Sequence, residues 1–225
     1  MDFMKLLRSF EEFLFEAASW LIFYPLILWR ILVHPLKTMA YSDAEQADTE
    51  EGRYDDAISP PLVLLLTVVW VNFVGQLIHP ATTPATSAFG KAVLGSPDTL
   101  AIIRSLIFSL VPLVAATTLL RRTQVHLSRQ ALRGPFYAQC YLASPCVIMV
   151  SVGFAIFQRQ EVSDWFGAVL FVAGGAWFLT TQTRWFAQKL QTSWPKALGI
   201  ALWALFKAWA YLLALLIPLA LALEA

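Results

Sequence analysis

The sequence predicts an all-α, polytopic transmembrane bundle of five spans, preceded by an amphipathic or interfacial helix. Three observations predict it. The 225 residues are 58% hydrophobic and only 14% charged, where a soluble domain is about 45–50% apolar and about 25% charged. Mean hydropathy is +0.63. Five windows of roughly 20 apolar residues recur along the chain, which is the length a helix needs to cross about 30 Å of hydrocarbon at about 1.5 Å per residue.

The first 37 residues form one unit. Phe3, Leu6, Leu7, Phe10, Phe13, Leu14, Ala17 and Leu21 share one helical face, and Lys5, Arg8, Ser9, Glu12, Glu16 and Ser19 share the other. A helix with that division lies in the membrane interface. The apolar run that follows is interrupted by Pro25, Arg30 and Pro35, and suits an interfacial or re-entrant segment better than a sixth span. A sixth span would place the C-terminus inside or move the N-terminus outside. Glu11, Glu12 and Glu16 stand where a cleavable signal peptide needs its apolar region.

Residues 38–59 form an acidic cytosolic segment, with seven carboxylates between positions 43 and 56. Such a cluster is a solvated face or a docking surface for a basic partner. The chain then turns apolar at Pro60 and Pro61, which suit a helix start because their missing N–H groups have no intrahelical partner there. Ser59 is placed to cap. The switch marks a membrane surface.

The five-span domain occupies 60–225. Its windows are about 60–79, 101–120, 136–157, 163–183 and 197–223. Trp165 and Trp185, 20 residues apart, are expected at the two edges of the fourth span, since tryptophan favours interfaces. Basic residues alternate in the connections. Arg121, Arg122, Arg129 and Arg133 follow the second span, and Arg184, Lys189 and Lys196 the fourth, whereas the alternate connections hold only Lys91 and Arg159. Positive charge stays inside, so five spans place the N-terminus in the cytoplasm and the C-terminus outside, with a bacterial inner membrane as the expected location.

Polar residues inside hydrocarbon are the candidate functional groups. Asn72, Gln76 and His79 share a face of the first span by their i, i+4, i+7 spacing. With Lys207 they would line a polar path; the alternative is interhelical hydrogen bonding. Lys207 sits at the interface if the fifth span starts near Leu205, and otherwise needs a partner such as Asn72 or Gln76. Arg104 snorkels or pairs with Asp98. Gly167 and Gly174 share a face that permits close helix approach, as do Ala204 and Ala208. Pro112, Pro145 and Pro218 are potential kinks. Arg121, Arg122, Arg129 and Arg133 are placed to meet anionic lipid headgroups.

Catalytic signatures are missing: there is no phosphate-cradling glycine loop, no G-x-S-x-G and no H-E-x-x-H. Cys140 and Cys146 fit no metal or redox spacing and are expected to pack as small apolar groups. No catalytic residue, metal or cofactor is called for. Net charge of +1 favours no nucleic-acid partner. The expected partners are membrane lipids and either another protein or a second copy of the chain.

Two short elements carry a resemblance. Asp56-Ala57-Ile58-Ser59-Pro60-Pro61-Leu62 precedes the first span, and Cys140-Tyr141-Leu142-Ala143-Ser144-Pro145 lies in the third. With the five spans and acidic pre-span segment, they resemble the Yip family of five-span membrane proteins. That family shows Asp, two residues, then Gly-Pro-Leu, and Gly-Tyr, three residues, then Pro; here Ser59 and Cys140 stand at the glycine places. The resemblance implies a non-enzymatic role in membrane organisation or trafficking through protein contacts, with Asp55, Asp56, Pro60, Tyr141 and Pro145 as the residues of interest. A small-solute transporter or channel is the alternative. A lipid-modifying membrane enzyme is the third reading, and no nucleophile or metal set supports it.

Overall fold

The computed structural model describes residues 3–46, 54, 57–78, 97–157 and 164–224. Among them every regular element is an α-helix: α1 (Phe3–Val33), α2 (Pro35–Glu45), α3 (Pro60–Ile78), α4 (Pro97–Arg122), α5 (Arg129–Phe157), α6 (Asp164–Lys189) and α7 (Trp194–Glu224). The all-α membrane bundle expected from composition is the fold observed.

Local chemistry sets the helix ends. Ser128 is the N-cap of α5, its Oγ accepting from the Ala131 amide at 3.1 Å. Ser59 is the N-cap of α3: its carbonyl accepts from the Val63 amide at 3.0 Å, with Pro60 and Pro61 in the first turn. Helices α4 and α6 stop in the same way. Val125 N–H reaches back to the Leu120 carbonyl and Thr192 N–H to that of Ala187, both at 3.1 Å. Gln124 and Gln191 adopt φ of 55° and 47°, the left-handed residue such a closing loop requires.

α5 is the central helix. Residues Ala138 through Pro145 are all buried, and a helix covered on every side lies inside its bundle. It packs against α1, α2, α3, α4 and α6, while α7 closes a ring by touching both α6 and α4. The closest approach is between α5 and α6. A Cβ on Gly167 would lie 2.5 Å from the Phe157 amide nitrogen and 2.7 Å from the Gly153 carbonyl oxygen. A Cβ on Gly174 would lie 2.7 Å from Met149 Cβ. The small face expected at Gly167 and Gly174 is therefore an interface, and Gly153 on α5 is its partner.

Four stretches among the described residues are long and apolar enough to cross a membrane: Arg8–Val33, Arg129–Phe157, Trp165–Lys189 and Trp194–Pro218. Pro60–Gly75 is a shorter apolar helix, and the window at 101–120 falls within α4. The interruption expected at Pro25 does not occur, since α1 runs unbroken through it and stops at His34. Only 11% of the most apolar window of α1 is buried. Phe15, Leu21, Ile22 and Trp29 point away from the protein, so this surface is left for lipid. Helices α1 and α3 run in opposite directions. Tyr24 of α1 donates to Thr67 Oγ1 at 2.9 Å, whereas Ile31, about two turns on, clusters with Ile58 and Val63 at the start of α3.

One tryptophan expectation is corrected. Trp165 is exposed, but Trp185 is 2% exposed. Its ring lies in the core with Phe186, Ala197 and Ala201, not at a lipid interface. Alanines on the facing helix leave room for an indole, and packing takes it inward.

Candidate functional site

The arginine-rich turns gather at one end of the bundle, where α4 ends, α5 begins, α6 ends and α7 begins. Arg121, Arg122, Arg129 and Arg133 are all exposed there. The Arg133 guanidinium lies over the Tyr137 ring, 5.4 Å from its centroid, a cation–π contact.

At this basic end a junction ties the N-terminal helices to the bundle. Tyr141 of α5 is 0% exposed and its hydroxyl donates to the Ile58 carbonyl at 2.8 Å across 83 residues of sequence. Pro60, two residues after Ile58, is fully buried, and Pro145, one turn along α5, is buried. Tyr54 seals the outer side. Its amide donates to the Glu45 carboxylate at 2.7 Å, its hydroxyl accepts from Gln46 Nε2 at 2.9 Å, and Ser42 Oγ lies 3.2 Å from that hydroxyl. Its ring packs near Tyr41 and Tyr137, at 6.3 Å from each. Burial pushes the Tyr54 phenol above its ordinary pKa, against the opposing pull of the hydrogen bonds with Ser42 and Gln46. Asp43 of α2 pairs with Lys189 at the end of α6, 2.6 Å apart. Part of the acidic segment is thus an ordered helix docked on the bundle, with Thr38, Met39 and Ser42 buried beneath it.

The residues of the two short motifs separate in their visibility. Pro60, Tyr141 and Pro145 are all buried, and Tyr141 bonds to Ile58, two residues before Pro60. Asp55 and Asp56 lie outside the described residues.

Of the expected polar path, the side chains of Asn72 and Lys207 fall among the described residues. Asn72 is buried on α3. His79 and the Gln76 side chain lie outside the described residues, as do the Arg104 and Asp98 side chains. Lys207 lies on α7. Its ammonium donates to Thr118 Oγ1 on α4 at 2.7 Å, and the Thr118 hydroxyl donates to the Val114 carbonyl at 2.6 Å. The helix begins at Trp194, 13 residues before Lys207, and the Thr118 hydroxyl gives the charge a partner.

The ring of α4, α5, α6 and α7 holds a groove of ≈ 260 Å³ walled by apolar side chains, including Val111, Ala143, Val150, Phe178 and Leu205. Trp209 and Phe171 stand at its exposed edge. Two buried amides that sequence reasoning missed lie one turn below it toward the basic end. Gln139 continues the face formed by Ala143, Cys146 and Val150 on α5, and Gln182 that of Phe171, Gly175 and Phe178 on α6. Each is 1% exposed. Among the described residues Gln139 Nε2 and Oε1, Gln182 Oε1 and Trp185 Nε1 have no hydrogen-bond partner. The i, i+4, i+7 spacing from the groove-lining residues was the signal available in the sequence.

Cys140 is buried, Cys146 half-buried, and both are free thiols, as expected of packing residues. Among the described residues no three His, Cys, Asp or Glu side chains gather closely enough to hold a metal ion. No family model, no curated protein and no solved structure matches the chain.

Proposed function

We propose that this chain is a non-enzymatic integral membrane protein of Yip-like type that organises other membrane components through its basic end. One observation carries the reading. Two polar side chains within the bundle hold helices together, Lys207 against Thr118 and Tyr24 against Thr67, and the groove among α4, α5, α6 and α7 is apolar. Apolar walls offer a polar solute no hydrogen-bonding partners, which favours the scaffold reading over the transporter. The junction of Tyr141, Ile58, Tyr54 and α2 presents a fixed surface with Tyr137 and Arg133 at its edge.

Two experiments test this. A photo-crosslinking residue at Tyr137 should give a discrete adduct with a protein or a second copy in native membranes, and the same residue at lipid-facing Phe154 should not. Solute flux in proteoliposomes that disappears when Asn72 becomes Leu would overturn the scaffold reading in favour of the transporter.

We further propose α1 as a sixth span, one more than the five on which the Yip resemblance rests. Its antiparallel register with α3 carries the Phe3 end away from the basic end. Glu11, Glu12 and Glu16 then sit at the far surface, and Arg30 and Lys37 at the basic one. The basic end is cytoplasmic by the positive-inside rule, in a bacterial inner membrane.

A further inference from the structure

Where α1 gives way to α2, a pocket of ≈ 180 Å³ opens beside α6. His34, Pro35, Leu36 and Lys37 form one wall, and Thr181 and Arg184 the other. Lys37 and Arg184 are exposed cations, and among the described residues neither pairs with a carboxylate. The carboxylates of α2, Asp43 and Glu45, stand at its far end, where Lys189 and the Tyr54 amide hold them. The pocket is therefore positive on both walls. Arg184 lies five residues, or about 7.5 Å, before the end of α6, which sets the pocket at headgroup depth on the basic end.

The donors here lack partners. Helix α2 begins with Pro35, which has no N–H, and His34 at the N-cap contributes no side-chain bond. The Leu36 and Lys37 amides stand in a first turn, where the helix holds no acceptor for them. Thr181 points independently to a ligand. It is 5% exposed and lines the pocket, and no hydrogen bond among the described residues uses its hydroxyl. A buried hydroxyl without a partner is costly, and this pocket is where a partner can reach it.

We propose that this pocket binds a phosphate group. A tetrahedral phosphate presents several acceptor oxygens to the donors gathered here. The Arg184 guanidinium can hold two of them as a fork, and Lys37 adds a point charge. The first-turn amides of α2 favour an anion at the helix N-terminus, and Thr181 Oγ1 donates the innermost bond. A membrane phospholipid and free phosphate share this chemistry, and a pocket at headgroup depth is open to both. The site does not rest on the scaffold reading and stands if that reading fails.

The test titrates the full chain, purified in detergent free of phospholipid, with two probes. Inorganic phosphate at constant ionic strength is followed by calorimetry, and phosphatidylglycerol by native mass spectrometry. Saturable one-to-one binding of at least one probe is expected, and the tighter of the two names the source of the phosphate. Arg184→Gln and Thr181→Val should each weaken that probe about fivefold, the effect of roughly one charge or one hydrogen bond. Lys196→Gln makes the same change of charge at the start of α7, outside the pocket, and should leave the affinity unchanged. Binding of neither probe, an affinity that Arg184→Gln or Thr181→Val leaves unchanged, or an equal loss in Lys196→Gln would overturn the site.

Discussion

Replacing Tyr141 with Phe removes one oxygen and nothing else from the centre of the molecule. That hydroxyl donates to the Ile58 carbonyl at 2.8 Å in a fully buried setting. Interhelical hydrogen bonds in membrane proteins average about 0.6 kcal/mol and reach about 1.7. This one should fall near the top of that range. Water cannot replace the donor where Tyr141 is 0% exposed, and a buried carbonyl left unpaired costs about 1–3 kcal/mol by itself. The expected loss is about 1.5 kcal/mol, or roughly tenfold in the folding equilibrium. Equilibrium unfolding in mixed micelles, followed by helical circular dichroism, measures it. Tyr24→Phe is the comparison, because its half-buried bond to Thr67 should be worth nearer 0.6 kcal/mol. A Tyr141→Phe loss below about 0.5 kcal/mol, or one no larger than that of Tyr24→Phe, would refute the idea that this bond ties the pre-span segment to the bundle.

Gly167→Ala should destabilise by about 1–3 kcal/mol, the cost of overpacking, because its Cβ meets backbone atoms at 2.5 and 2.7 Å. Gly175→Ala, in open space, should be neutral or stabilising; thermal unfolding of the two in detergent compares them, and equal melting temperatures would contradict the α5–α6 packing. Tyr54, held neutral by burial, makes a contribution that is complete below the unfolded tyrosine pKa of about 10 and is lost as pH rises toward the higher folded value. Tyr54→Phe should therefore lose less stability than wild type between about pH 9 and 12, and parallel pH profiles would remove the assignment. In a Cys140→Ala, Cys146→Ala background, cysteines at Gln124 and Gln191 should react with an impermeant thiol reagent from one side of the membrane and a cysteine at Ser9 from the other. Labelling of all three from one side would return α1 to the interface.

The packing glycines were legible as far as one helix. Gly167 and Gly174 announced a close approach by their shared face, but Gly153, the other half of the contact, stood in another helix with no pattern to mark it. The resemblance singled out Tyr141 and Pro60 from separate places in the chain, and nothing in their spacing showed that one would donate to the carbonyl two residues before the other. Trp185 misled for a clear reason. Tryptophan at a span end is equally at home facing headgroups or filling a hollow, and the hollow is made by Ala197 and Ala201 of α7, which only the packed bundle brings opposite. Gln139 and Gln182 were overlooked because single amides within apolar runs look the same in sequence whether they are satisfied or not.

Membrane residence, helical class and the grouping of the arginine turns at one end were determined by sequence alone, since each depends on how a segment partitions between water and hydrocarbon, a property of the segment's own side chains. The partner of Lys207, the burial of α5 on every side between Ala138 and Pro145 and the groove above the two amides were decided only by tertiary structure. Each depends on which faces of different helices meet, and within lipid the hydrophobic effect no longer chooses between faces, so shape and hydrogen bonding between distant residues make that choice.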